Sequence, residues 1–196
     1  QNVQIKQDFQ YFVNAKNTLS FGLHATHHSI IPGQLETSSA LLQPFTLQKK
    51  YAVENALYVS NSWKPSYHWN ISYGVRLNGF SLLGGGNFYT YLPNETIQST
   101  YYDYNEFVKT YVHIEPRINI AYIANDRNSL KMSYTRNTQH LHLITNSTSS
   151  VPTDIWIPSS KNIKPQISDQ LTAGYFINFT DDTYQFSAET YYKYMQ

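Results

Sequence analysis

The chain contains no cysteine, which removes disulfides, thiolate metal sites and a cysteine nucleophile together. Charge is also scarce: 14% of residues are charged, with 14 basic against 13 acidic side chains for a net +1. That balance offers no basic face to nucleic acid. No run approaches the roughly 18 apolar residues of a membrane helix, although membrane strands leave no such run either. Gln1 opens directly into "NVQIKQDFQYFV", without a basic n-region or apolar core, so no signal peptide is expected in this chain. Nor is there a Gly-x-Ser-x-Gly elbow, a P-loop or a His-Glu-x-x-His helix, and nothing orders Ser, His and Asp into a triad. We expect no catalysis and no cofactor.

What the chain has is aromatic rings. Its 18 Tyr, 10 Phe and 3 Trp sit in a sequence of mean hydropathy −0.47. Many aromatics in a chain that is polar on average point to pleated structure. The last stretch, "TYQFSAETYYKYMQ", sets Tyr184, Phe186, Ala188, Thr190, Tyr192 and Tyr194 against Gln185, Ser187, Glu189, Tyr191 and Lys193. A two-residue period of this kind marks a strand with one apolar and one polar face. It recurs seven more times, most cleanly where Trp69, Ile71, Tyr73, Val75 and Leu77 alternate with Asn70, Ser72, Gly74, Arg76 and Asn78. Helical periodicity competes nowhere, so the chain is all-β.

Connections alternate between short and long. Short turns built of Asn, Asp, Lys, Pro and Ser are expected near 14–17, 61–67, 124–128 and 180–183. The connections near 28–48, 79–107 and 140–169 are each roughly twenty to thirty residues, beyond the about 12–15 of ordinary loops. Outer-membrane barrels have short periplasmic turns and long extracellular loops. Expected strand lengths of about ten to thirteen residues also exceed the soluble mode of about five or six.

The charges settle which face is which. Lys6, Asp8, Glu54, Arg76, Glu115, Arg117, Lys131, Glu189 and Lys193 fall on the polar face, and Arg136 is the exception on the other. The polar face is otherwise Ser, Gly, Asn, Thr and Ala, unlike the Lys- and Glu-rich face of a soluble strand. Trp63, Tyr67, Trp69, Tyr122, Phe179 and Tyr184 cluster at strand ends, where an interfacial girdle belongs. The apolar face is therefore expected to meet outer-membrane lipid, and Arg76, Glu115, Arg117, Lys131 and Glu189 to face the lumen. Those charges either line a transport path or pair across strands for structural reasons, and the second is the plainer reading.

Binding candidates follow. "GGGNFYTYLPNETIQSTYYDYNEF" (Gly84 to Phe107) puts flexible glycines before many aromatics, suited to ligand contact. We take Tyr89, Tyr91, Tyr101, Tyr102 and, from a later loop, Trp156 as candidate ligand-binding residues, with packing of the rings on one another as the alternative. "HATHH" invites a metal, but His24 and His28 would be about 13 Å apart on one face of a strand. His27 points away. His140 and His142 are closer, at about 7 Å, yet no carboxylate accompanies them. No metal site is expected. Asn-x-Ser/Thr triplets occur at Asn70, Asn94, Asn146 and Asn178, two of them inside expected strands, and an outer-membrane reading makes them chance matches.

The segment from Trp156 to Gln196 resembles TonB-dependent outer-membrane receptors of Bacteroidetes type. The likeness is carried by "NIKPQ" (162–166), "SDQLTAGYFINF" (168–179) and "YQFSAETYYKYM" (184–195), with "EPRINIAY" (115–122) and "SLKMSYTRNTQHLHLI" (129–144) upstream. The resemblance implies about eight strands of a larger barrel of about 22. It implies that 1–196 is a partial barrel domain whose plug lies outside this chain. It further implies nutrient uptake energised through TonB by way of that plug, and a surface lipoprotein as a further partner. The small nutrient itself is unspecified. The rival readings are a self-contained small outer-membrane barrel with an anchoring or adhesive role, a barrel enzyme relying on His140 or Asp154, and a soluble carbohydrate-binding β-sandwich.

Overall fold

The computed structural model describes residues 1–31, 34–35, 45–46, 48–92, 96–144, 155–179 and 183–196. Asn94, Asn146, Asp154 and most of the expected turn at 180–183 lie outside them. In chain order the strands are β1 (Asn2–Asn14), β2 (Asn17–Ile30), β3 (Gln34–Leu35), β4 (Phe45–Thr46), β5 (Lys50–Ser66), β6 (Trp69–Leu83) and β7 (Gly86–Tyr91). They continue with β8 (Ile97–Tyr102), β9 (Phe107–Asn125), β10 (Asn128–Gln139), β11 (Leu141–Ile144), β12 (Ile155–Pro158), β13 (Gln166–Asn178) and β14 (Gln185–Met195). No helix occurs among the described residues.

Eight long strands form one antiparallel sheet in the order β1-β2-β5-β6-β9-β10-β13-β14, every neighbour joined in sequence order. This is an up-and-down meander, which short turns permit at one end and long connections at the other. Each long connection carries its own two-stranded ribbon: β3-β4, β7-β8 and β11-β12. Those ribbons and the strand lengths correct the sequence reading. The strands run from 11 residues in β14 to 19 in β9, so parts of the expected loops are strand.

The expected turn at 61–67 is also corrected. β5 continues through Ser66 with a register shift between Trp63 and Ser66, and only Tyr67 and His68 turn. Pro65 has no N–H to donate, and the irregularity lets it sit in the strand. Lys64 N donates to Lys16 O (2.8 Å) and Lys16 Nζ to Pro65 O (3.0 Å), which anchors the end of the strand to the neighbouring turn.

Register sorts the side chains into two faces. Leu57, Leu77 and Ile114 stand opposite one another, as do Val59, Val75 and Pro116, and Ile71, Ile120 and Met132. No second layer covers them among the described residues; Leu57 is 59% and Ile114 60% exposed. A soluble sandwich would bury this face, so that reading falls. Nor does the sheet close on itself within the chain, since β1 pairs only with β2 and β14 only with β13 among the described residues.

The short-turn end carries the expected ring of aromatics. Trp69 packs on Tyr122 with centroids 4.7 Å apart, and Tyr67 meets His68 edge-on at 5.6 Å. Phe179 and Tyr184 flank the β13–β14 turn, their backbones joined by a 2.8 Å hydrogen bond. The Tyr67 hydroxyl donates to Asp126 (3.0 Å) in the neighbouring turn, and that bond to a carboxylate pushes the phenol pKa up.

Candidate functional site

The polar face carries a connected set of side chains. Gly22, on β2, has no side chain to block the Tyr58 ring, which reaches across that strand to donate to Asp8 on β1 (2.5 Å). Asp8 also receives Lys6 Nζ at 2.9 Å. On the central strands, Glu115 is the hub. Arg76 Nε lies 3.8 Å and Arg117 Nη2 3.9 Å from its Oε2. Its Oε1 accepts from Asn78 Nδ2 (3.3 Å) and from the backbone N–H of Thr138 (3.1 Å).

The last of these bonds has a backbone cause. The β9–β10 ladder ends at Arg117–Thr135, one residue short of Pro116, which has no N–H with which to continue it. The strands part there, and the Glu115 carboxylate supplies the acceptor that the ladder no longer does. Of the five charges read as lumen-facing, Arg76, Glu115 and Arg117 therefore meet in one cluster. Lys131 and Glu189 lie apart from it, lining a shallow hollow with Phe176, whose ring Lys131 Nζ overlies at 4.3 Å.

The histidines disperse. His24 contacts Gln4 Nε2 (2.6 Å), Thr26 Oγ1 (3.1 Å) and Arg76 Nη2 (3.2 Å), while His28 Nδ1 contacts Asn2 Oδ1 (3.2 Å). His27 lies on the other face beside Tyr51, the two rings 6.2 Å apart. His142 Nε2 bonds Ser159 Oγ at 3.0 Å. His140 is buried and stacks flat on Phe80, with centroids 4.7 Å apart, and its ring nitrogens have no partner among the described residues. Burial pushes its imidazole pKa down to about 4; the Glu54 charge pulls the other way, and His113 and His142 reinforce the lowering. The described residues hold no group of three or more His, Cys, Asp or Glu in metal-binding geometry.

Arg136, the charge expected on the apolar face, is neutralised there by a second charge that sequence reading did not place on it. It makes a two-pronged contact with Asp169 (Nε–Oδ1 2.8 Å, Nη2–Oδ2 2.9 Å), and Tyr134 donates to the same carboxylate at 2.7 Å. Paired and close to Tyr194, across the ladder from Asp169, it suits an interfacial height rather than hydrocarbon.

At the end with the long connections the polar face changes character. Ala52, Phe80, Leu82 and Val108 form a buried apolar cluster, packed by Phe88, Tyr102 and Tyr111. Above it opens a pocket of about 340 Å³ between the β7-β8 ribbon and the segment from β12 to Asn162. Its apolar wall is Leu82, Phe88, Tyr89, Tyr91, Val108, Trp156, Ile157 and Pro158; its polar groups are Gln48, Lys50, Asn87, Thr90, Ser160, Lys161 and Asn162. Three of the five aromatics singled out from sequence, Tyr89, Tyr91 and Trp156, converge here although 67 residues of numbering separate Tyr89 from Trp156 (156 − 89). Tyr102 sits behind the wall, edge-on to Phe88 at 5.6 Å. Tyr101, 66% exposed, lies outside the pocket.

The pocket walls are tied to one another. Asn162 Nδ2 donates to Tyr89 O (2.8 Å), Lys161 Nζ to the Tyr102 hydroxyl (2.6 Å), and the Tyr111 hydroxyl to Ser160 O (2.7 Å). The glycines read as flexible have fixed places in this arrangement. Gly84 N donates to Glu106 O (2.7 Å) and Gly85 N to Tyr102 O (3.1 Å). Gly85 and Gly86, at φ 130° and 140°, turn the chain from β6 into β7 through a region that residues with a Cβ rarely enter. Sequence reading missed Lys50, Lys161 and Asn162 because they come from distant parts of the chain, Lys50 from the start of β5 and Lys161 and Asn162 from the segment after β12. An available hint was Phe80 and Leu82, apolar residues on the otherwise polar side of β6.

The family profile described as TonB dependent receptor-like, beta-barrel, matches residues 2–196. No curated protein matches the chain in sequence. Among solved structures, the FrpB iron transporter from Neisseria meningitidis (F3-3 variant) superposes with a TM-score of 0.63 at 10% identity, over 99% of this chain and 28% of that one. At that identity the likeness is one of fold, and the chain spans little more than a quarter of its neighbour.

Proposed function

The chain belongs to the TonB-dependent receptor-like β-barrel family of the bacterial outer membrane, and from that premise we propose that it is part of the wall of a nutrient importer. In this reading it binds and admits cargo rather than transforming it. The observation that carries the proposal is the inverted sheet: apolar side chains on the uncovered face and the Glu115 cluster on the other. Lipid offers no hydrogen bonds, so the open edges at β1 and β14 need further strands to complete a barrel of about 22.

The finer parts of the proposal rest on the motifs in the last forty residues, which resemble Bacteroidetes receptors. They comprise a plug inside the completed barrel, energy delivered to the plug through TonB, and a lipoprotein over the extracellular mouth. Tyr89, Tyr91 and Trp156 are the wall residues best placed to meet cargo first, because they surround a pocket on the side of the long connections. Arg76, Glu115 and Arg117 act below them, where their mutual pairing holds the strands at the point where Pro116 interrupts the ladder.

The test uses cells carrying the whole receptor. Spent medium is profiled for small molecules from wild-type, receptor-deleted and TonB-deleted strains. A compound left unconsumed by both deletion strains is the expected result. A receptor-deleted strain that depletes its medium as the wild type does would overturn the importer reading.

A further inference from the structure

The pocket at the mouth has a charge pattern that its apolar wall does not require. Two ammonium groups, Lys50 and Lys161, are among its lining residues, and among the described residues no Asp or Glu lines it. Neither lysine lies within 4.0 Å of a carboxylate among the described residues. Lys50 Nζ instead rests 3.9 Å above the Phe88 ring and bonds Gln48 Oε1 at 3.2 Å, while Lys161 Nζ bonds the Tyr102 hydroxyl. An ammonium has three donors, so each retains bonding capacity for an incoming acceptor. Beside them Trp156 is 47% and Tyr89 54% exposed, offering ring surface that no other described residue covers.

We propose that this pocket binds a compact amphipathic anion, with a flat apolar body against Trp156, Tyr89 and Phe88 and an acidic head group between Lys50 and Lys161. The inference rests on the importer reading only in treating the pocket as a place where cargo is met; its chemistry comes from the lining. The volume sits at the lower end of the about 300–1,000 Å³ usual for ligand sites, which favours one or two fused rings over an extended polymer. The walls are held before any ligand arrives by the bonds of Asn162 to Tyr89 and of Tyr111 to Ser160, so little ordering remains to oppose binding. Selectivity for an anion follows from two positive charges that have no carboxylate beside them among the described residues. A neutral ring compound gains only the stacking, and a cation is repelled.

The test uses the full-length receptor in lipid nanodiscs and equilibrium dialysis against radiolabelled 2-naphthoate, with 2-naphthamide as its uncharged counterpart. Empty nanodiscs correct for partition into lipid, and heat-modifiable gel migration establishes that each variant is folded. Saturable binding of the acid, at least tenfold tighter than of the amide, is expected. The double variant Lys50→Met, Lys161→Met should weaken the acid at least tenfold and leave the amide unchanged, whereas Trp156→Ala should weaken both. Equal binding of acid and amide, binding indifferent to these variants, or no saturable binding by the folded receptor would each overturn the inference. Uptake by cells is a separate readout. Saturable, charge-selective binding without TonB-dependent consumption of any compound would sink the importer reading and leave the pocket chemistry standing.

Discussion

In its lower half β6 sends Ile71, Tyr73 and Val75 to the uncovered face and Asn70, Ser72, Gly74 and Arg76 to the polar one. In its last five residues the same strand sends Gly79 and Ser81 to the uncovered face and Phe80 and Leu82 to the other. Ser81 meets Thr110 there through a 2.9 Å hydroxyl contact, while Phe80 and Leu82 are sealed in with Ala52 and Val108. The period of two holds as far as Leu82, where the register with β9 shifts and Leu83 is buried as well; up to that point only the polarity of the faces changes. What changes is the solvent. The lower wall has hydrocarbon outside and a wet lumen inside, whereas the upper wall stands in water and builds a small core under its own loops. The change near Gly79 thus places the outer edge of the bilayer along the strand.

That contrast can be broken or sharpened by substitution in the full-length receptor. The largest effect is expected for Phe80→Ala. A buried ring lost from the mouth cluster costs about 3–5 kcal/mol, read as a fall in the urea midpoint of hydrogen exchange in β7 and β8. Leu77→Ala, two residues before the reversal and facing lipid, leaves no cavity and should cost less than about half of that. Charge makes the complementary test. Val75→Arg, about midway between the Trp69 ring and Gly79, should destabilise the barrel in phospholipid vesicles by about 2–4 kcal/mol, and Ser81→Arg by no more than about 1 kcal/mol. Equal penalties at the two sites would mean that the bilayer edge is not at the reversal.

A pH experiment addresses the mouth alone. His140 is neutral when docked on Phe80, with a pKa of about 4 against an ordinary value near 6.5. The undocked ring takes up a proton at higher pH than the docked one. Docking is therefore fully stable above pH 6.5 and weakens as pH falls toward 4, by about 3 kcal/mol in all. Glu54 opposes this loss, and His113 and His142 add to it. Trp156 fluorescence should report the opening, and His140→Leu should flatten its pH dependence without touching the lower wall. A smaller effect than at Phe80 is expected for Glu115→Gln, about 1–3 kcal/mol, because Asn78 and the Thr138 N–H keep an acceptor while Arg76 and Arg117 lose their counter-charge.

The lower wall was largely legible in the residues. Alternation in β6, β9 and β13 gave the strands, the Asn- and Asp-rich turns gave the hairpins, and charges confined to one set of positions gave the polar face. The upper wall was much less so. Phe80 and Leu82 broke the polarity rule while keeping the period, so a reading by polarity ended β6 near Leu77 and passed the rest to a loop. Pro65 and Lys64 read as a turn because their chemistry is that of turns, yet a register irregularity and the Lys16 contacts keep them in β5. The aromatic composition of the loops pointed to Tyr89, Tyr91 and Trp156. It could not show that Tyr101 faces away, nor that Lys50 and Lys161 join them.

The sequence by itself determined the period, the order of strands and the face that carries charge, because each depends on neighbours two residues apart or on a short turn. Only the tertiary structure decided where the faces exchange polarity, which charges meet at Glu115, and which three connections enclose a pocket. Those depend on which solvent surrounds each height of the wall and on residues brought together from distant parts of the chain. Neither is written in local spacing.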